Sequence, residues 1–352
     1  MKLLIVTQKV DVNDPILGFF HSWIKEFAKY CDKITVICLE KGDYDLPQNV
    51  RVLSLGKEKG ESRAKYMHNF YKYIFQEKDN YDSVFVHMNP IYVVLGGFFW
   101  RIWKKKIALW YTHKSVDLKL RLAEKISNII FTASKESFRL KSKKVVVTGH
   151  GIDVGNFKSQ VSSVKQERGE RFDILSAGRI SPVKNYEIII DAMKILVDDN
   201  VDVCLKIVGG PGTQEQEKYL GQLKKKVQDA DLSEVVEFVG EVANKDIVPY
   251  LQDADLFVNL SKTGSLDKAV LEAMACEIPV LTSNNGLEST LVDFKDKLMF
   301  EGENSSILSQ KIKSIIKLDK SERPNLGEEL RSIVVENHNL SKLINKLVLK
   351  MQ

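Results

Sequence analysis

Short apolar runs alternate with amphipathic stretches along the whole chain, and that alternation leaves few folds open. Runs at 3–7, 34–38, 84–87, 107–110, 129–132 and 145–147 have the length and residue types of buried strands, and 16–30, 62–78 and 118–127 carry helical periodicity between them. Strand and helix in turn make a parallel sheet with helices on both faces. A polar stretch (SQVSSVKQERGE) then interrupts the pattern, so 158–171 reads as a linker. Strands resume at 173–176, 203–208, 235–239, 256–259 and 279–282, with helices at 185–197, 214–228, 268–276 and 307–318. The expectation is an α/β protein of two doubly wound, Rossmann-like parallel-sheet domains facing a cleft, and 352 residues suffice for two cores. In such sheets ligands bind beyond the carboxyl ends of the strands, so functional residues are sought just after each strand.

Composition narrows the classes. The longest apolar stretch, 91–100, ends at Arg101 and has about half of the ~20 residues a membrane span needs. The run after Lys2 is too short for a signal-peptide core. Cys31, Cys38, Cys204 and Cys276 show no metal-ligand or redox spacing, which fits buried thiols in a reducing cytoplasm. The net charge of +5 divides into +11 over residues 1–150 and −6 over 151–352. Either the first half meets something anionic, or its surface charge has drifted without consequence. No nucleic-acid motif appears, so a phosphorylated substrate or an anionic bilayer is the better candidate. Within that half, Phe98, Phe99, Trp100, Arg101, Ile102, Trp103, Lys104, Lys105 and Lys106 mix aromatic and basic residues at a helix end. That composition suits a helix lying on an anionic membrane, with Trp100, Arg101, Trp103 and the three lysines as its surface, and equally a helix packed on its sheet with solvated lysines at its C-terminus.

The second half carries the clearest chemistry. After the strand at 173–176 come Gly178, Arg179, Lys184 and a helix. A planar guanidinium and a point charge around a strand-to-helix turn suit a diphosphate at a helix N-terminus; an ordinary turn with two solvated cations is the alternative. Gly209 and Gly210 follow the next strand and let backbone come near a phosphate. The loop with Gly264, Ser265, Leu266, Asp267 and Lys268 opens a helix whose amides point at a ligand, with Ser265 or Asp267 as cap. Glu272, one turn in, suits a sugar diol, or a salt bridge on the helix. In the first half Gly18 lies in the loop after the first strand, and His87 and His113 follow later strands.

These motifs together resemble the GT-B glycosyltransferases, specifically the retaining family 4. The matching positions are Gly178-Arg179 with Lys184-Asn185, Gly209-Gly210, the run from Leu271-Glu272-Ala273-Met274 to Pro279-Val280, and Gly149-His150-Gly151-Ile152-Asp153 before Phe157. The resemblance implies that Arg179 and Lys184 grip the diphosphate of a UDP- or GDP-sugar, that Glu272 binds the ribose, and that His113 contacts the donor sugar near the reacting carbon. It implies transfer to an acceptor hydroxyl, of a saccharide or a lipid-linked molecule, without metal or cofactor, in the cytoplasm or on the inner membrane face, in glycolipid or surface-polysaccharide assembly. It further implies domains at 1–157 and 172–336, and a last helix within 337–352 that crosses back onto the first domain. One departure stands out. The first glutamate of the family's E-x7-E motif falls on Gly264, and Asp267 is expected to take its place at the sugar. Two other readings remain: a nucleotide-sugar 2-epimerase, and a non-catalytic nucleotide-sugar-binding partner of a membrane assembly.

Overall fold

The computed structural model describes residues 1–158, 171–262, 264–302 and 304–352. The linker reading at 158–171 therefore falls, apart from its two ends, outside the described residues, as does Thr263 in the glycine-containing loop. The chain divides into two compact units. The first is Met1–Asp153 with Ala243–Lys245 and Asn337–Gln352, and the second is Val154–Val242 with Asp246–Glu336.

The first unit holds a seven-stranded sheet: β1 (Lys2–Val10), β2 (Lys33–Lys41), β3 (Val50–Ser54), β4 (Ser83–His87), β5 (Lys106–Trp110), β6 (Ile129–Thr132) and β7 (Val145–Val147), in the order β3-β2-β1-β4-β5-β6-β7. Every neighbouring pair is parallel. The central strands read as unbroken apolar runs because both faces are covered; Leu3 to Val6 are fully buried. The edge strand β3, which the sequence pattern does not reveal, is only half buried. Helices α1 (Phe19–Ala28), α2 (Arg63–Gln76), α3 (Pro90–Ile102) and α4 (Leu118–Ile126) flank the sheet.

Helix α3 corrects one expectation. Trp100 is not part of an exposed surface: it is fully buried, donates its indole N–H to the Tyr81 hydroxyl at 3.2 Å and packs edge-on against Phe70. Helical phase is the cause. Val93, Gly96, Gly97 and Trp100 share the covered face, while Phe98, Arg101 and Ile102 turn outward. Lys105 is likewise tied down, its ammonium on the Tyr81 carbonyl at 2.6 Å, and Lys106 opens β5.

The second unit holds β8 (Phe172–Ala177), β9 (Val203–Val208), β10 (Val236–Gly240), β11 (Leu256–Asn259) and β12 (Val280–Thr282), all parallel, in the order β10-β9-β8-β11-β12. Its principal helices are α5 (Tyr186–Asp198), α6 (Gln214–Asp229), α7 (Lys268–Ala275), α8 (Ser305–Ile316) and α9 (Glu322–Asn337). The last helix, α10 (Leu340–Met351), belongs to the first unit. There Ile152 bridges Asn339, Leu340 N–H bonds the Ile152 carbonyl, and Ser83 donates to the Met351 carbonyl. Its buried stripe is Leu340, Leu343, Ile344, Leu347, Val348 and Met351, the spacing of one helix face. No described helix is long and apolar enough to cross a membrane.

Strand order reverses beside the first strand of each sheet, at β1/β4 and at β8/β11. Such switch points open a crevice at the carboxyl edge of an open parallel sheet.

Candidate functional site

At the second unit's switch point the chain leaves β8 through Gly178 (φ 142°) and leaves β9 through Gly209 (φ 138°). The two turns are in contact: a Cβ on Gly209 would lie 2.0 Å from the Gly178 carbonyl oxygen. Gly178 N–H bonds the Val208 carbonyl and Ile180 N–H bonds the Gly210 carbonyl, at 2.9 and 3.0 Å. The buried Tyr186 hydroxyl donates to the Gly178 carbonyl at 3.0 Å, and burial pushes its pKa upward. Asn185 takes a left-handed backbone (φ 52°) and donates its amide to the Leu260 carbonyl, which ties the loop after β8 to the loop after β11. These devices hold Gly178, Lys184 and the start of α5 at the crevice. Arg179 is exposed, and its stem runs beside Gly212, just ahead of α6.

Lys184 is already engaged. Its ammonium lies 2.5 Å from Asp267 Oδ2, with both side chains mostly covered. Asn259 donates to the same oxygen at 3.1 Å, and Asp267 Oδ1 accepts the Ala269 N–H as the N-cap of α7. Burial alone would raise the Asp267 carboxyl, but the Lys184 charge and these donors together hold it below the usual carboxylate range. Both oxygens thus have partners within the protein: Asp267 caps α7 and pairs with Lys184. Glu272 is buried one turn into α7, with its charge met by Lys268. That ammonium also lies 5.8 Å over the Phe157 ring.

The α7 entry loop is clasped from behind. The buried Asn284 amide donates to the Ser265 carbonyl at 2.9 Å, and Gly286 presses on the same backbone, where an added Cβ would meet the Ser265 carbonyl carbon at 2.6 Å. Leu266 is buried beneath the loop. One edge of the second sheet thus brings together Gly178, Lys184, Gly209, Gly210 and the segment Gly264–Lys268. Helices α5, α6 and α7 all begin after strands that end on this edge, and their free amides and dipoles favour an anion. Among the described residues no three His, Cys, Asp or Glu side chains gather as a metal-ligand group.

In the first unit, Gly18 caps α1, its N–H on the Asp14 carbonyl at 3.0 Å. Asp14 accepts the Ile16 and Leu17 N–H groups and, with Asp11 and Glu40, surrounds Lys9. His87 ends β4 but is closed off: it is stacked on Phe20 at 4.0 Å, bonded to Thr7, and kept neutral by burial, which pushes its pKa down to about 3. His113 is exposed, with Nδ1 accepting the Ser115 N–H at 3.1 Å. Sequence reasoning passes over Met88, which follows His87 with φ 61° and whose sulfur accepts from the Thr112 N–H and hydroxyl. A non-glycine residue held left-handed at a switch point is the kind of strain found at functional sites, and only the structure reveals it. Asn259 and Asn284 are equally silent in the sequence, as isolated polar residues near strand ends.

Residues 158–332 match the family described as glycosyl transferases group 1. Mannosylfructose-phosphate synthase of Agrobacterium fabrum is 32% identical over 160 residues, 43% of this chain and 35% of that protein. D-inositol 3-phosphate glycosyltransferase of Jonesia denitrificans is 26% identical over 193 residues, 50% of this chain and 45% of that one. The chain thus matches less than half the length of either relative. Among solved structures, Anabaena HepE in complex with UDP and glucose superposes with a TM-score of 0.79 at 19% identity, covering 100% of this chain and 99% of that one. Through residues 158–332 the chain belongs to the glycosyl transferases group 1 family, and its two parallel-sheet units are those of the GT-B fold.

Proposed function

We propose that the protein is a retaining glycosyltransferase that moves a sugar from a nucleoside-diphosphate sugar to an acceptor hydroxyl. The observation that carries this reading is the carboxyl edge of the second sheet. There Lys184 and the Gly178 and Gly209 turns are fixed beside helix N-termini at the β8/β11 switch point, with Arg179 exposed next to them. Two cations and converging amides neutralise the charge that grows on a departing diphosphate, in a place already oriented for it. Support comes also from the HepE structure, which holds UDP and glucose, and from relatives that include a glycosyltransferase for D-inositol 3-phosphate.

In this reading Glu272 meets the ribose hydroxyls, exchanging some of its contact with Lys268 for them. The acceptor oxygen bonds to the anomeric carbon as the bond from that carbon to the diphosphate breaks, and the hydroxyl proton passes to a phosphate oxygen of the leaving group. His113, exposed after β5, lends a hydrogen bond to the donor sugar. The donor is a UDP- or GDP-sugar and the acceptor a saccharide or a lipid-linked alcohol.

A second reading is favoured by one observation. Gly264 brings no carboxylate to the sugar, and Asp267 is held by Lys184 and the α7 cap. A chain so altered would bind nucleotide sugars without transferring them. A thermal-shift panel of UDP-, GDP- and ADP-sugars finds the donor, since a ligand at 100 times its dissociation constant stabilises by about 2.7 kcal/mol. Product analysis with that donor is expected to show transfer or slow hydrolysis, lost in Lys184→Ala. Binding without either product supports the second reading, and no shift with any nucleotide sugar overturns both.

A further inference from the structure

The first unit carries an aromatic ridge whose inner members, Tyr71, Phe99 and Trp103, pack on the core while its outer members stay exposed. On α2, Met67, Tyr71 and Phe75 stand four residues apart, one above the other on a helix face, with Met67 and Phe75 exposed. On α3, Phe98 and Ile102 are spaced the same way and are 68% and 60% exposed. The two rows join. Phe75 packs edge-on against Phe99 at 4.9 Å and against Trp103 at 5.0 Å, Tyr71 meets Phe99 at 5.9 Å, and Phe98 meets Phe99 at 5.4 Å. Helix α4, packed on α3, exposes Leu118 and Leu122 as well.

The charge on α2 and α3 has one sign. Helix α2 contains Arg63, Lys65 and Lys72 and no acidic residue, and residues 83–116 contain no Asp or Glu while including Arg101, Lys104, Lys105, Lys106 and Lys114. Arg63, Lys65, Lys72, Arg101 and Lys104 are all exposed. On α2 and α3, apolar side chains standing out among cationic ones match the layered chemistry of an anionic bilayer, whose phosphates lie outside its hydrocarbon. The half-buried Trp103, packed on Phe75 and Phe99, suits the boundary between those layers.

We propose that the α2–α3 ridge docks the protein on an anionic lipid bilayer, with Phe98, Ile102 and Phe75 inserted and Lys65, Lys72 and Lys104 on the headgroup phosphates. The full chain is incubated with sucrose-loaded vesicles of phosphatidylcholine, with or without about one-third phosphatidylglycerol, and sedimented. Wild type is expected to sediment with the anionic vesicles, less with the neutral ones, and less as salt rises. Phe98→Ser with Ile102→Ser lowers partitioning by about tenfold or more. Lys65→Gln with Lys72→Gln removes most of the preference for anionic lipid. Melting temperature checks that each variant is folded. Wild type remaining in the supernatant at low salt overturns the proposal. So does undiminished binding by the folded Phe98/Ile102 variant, or a dimer in solution that this variant dissociates, which would make the ridge a self-interface. No donor or acceptor is present, so failure here leaves the proposed activity untouched.

Discussion

Lys184 has two attachments that one substitution cannot separate. It neutralises a carboxylate that is almost covered, and in the proposed function it also meets the donor diphosphate. Lys184→Ala should therefore do two things. It strands Asp267, at a cost of about 2–4 kcal/mol because a mostly buried charge loses its partner. It also removes a charge-assisted contact to the donor, worth about tenfold or more in affinity. The pair changed together distinguishes the effects. In Lys184→Met with Asp267→Asn no buried charge remains, while the new asparagine can still cap α7 through its side-chain oxygen. The double variant is expected to regain most of the melting temperature and none of the nucleotide-sugar affinity. If affinity returns along with stability, Lys184 is a structural residue and the diphosphate assignment is wrong.

At the scale of elements, the α7 entry loop is shaped by its support, not by its own sequence. Gly286→Ala places a methyl group against Ser265 backbone, which cannot give way as a flexible side chain would. We expect a cost of about 1–3 kcal/mol and a displaced loop, seen as weakened nucleotide-sugar binding. Gly221→Ala is the control. It lies within α6 with nothing near its Cβ, and is expected to stabilise by about 0.5–1 kcal/mol with binding unchanged. Equal binding by the two variants would sink the idea of a clasped loop. This contrast also marks what a sequence reader can reach. Strands such as β1, β4 and β9 are legible because burial on both faces demands unbroken apolar runs. Edge strand β3 is not, since a half-wet strand needs no such run. Helix α9 escapes notice because it buries little beyond Leu326, Leu330 and Val334 and opens on Glu322-Arg323-Pro324. Gly178, Arg179 and Lys184 are legible because a strand-to-helix turn is local. The engagement of Lys184 by Asp267 is not, for the two lie 83 positions apart. Composition alone misplaces Trp100, although helical phase sets it with Val93 and Gly96.

At the scale of the molecule, histidine and tryptophan are confined to one unit. His21, His68, His87, His113, His150 and His338 all lie in the first, as do Trp23, Trp100, Trp103 and Trp110. Burial pushes His87 down to about 3 and His338 down to about 4; His338 Nδ1 accepts the His150 N–H and must be unprotonated to do so. Both are depressed below the ~6.5 of an unfolded histidine, so between these values the unfolded chain binds more protons. The stability they contribute is complete above pH ~6.5 and is lost as pH falls towards their folded values. At pH ~5 the loss is of order 2 kcal/mol for each, and together they should lower the first unit's melting temperature by roughly 10 °C. The depressed carboxylates Asp14, Glu40 and Asp267 act only below the ordinary carboxylate range, so they leave this window to histidine. Tryptophan fluorescence reads the first unit alone, whereas circular dichroism reads both. Acidification from about pH 7 to about pH 5 should therefore move the fluorescence transition down and away from a second dichroism transition that stays nearly in place. His338→Asn, which keeps an acceptor but does not titrate there, should remove part of the fluorescence shift, the rest staying with His87 and with His21, which burial also depresses. Coincident transitions at both pH values would mean that the two units unfold as one, and an unmoved fluorescence transition would mean that the buried histidines are not neutral.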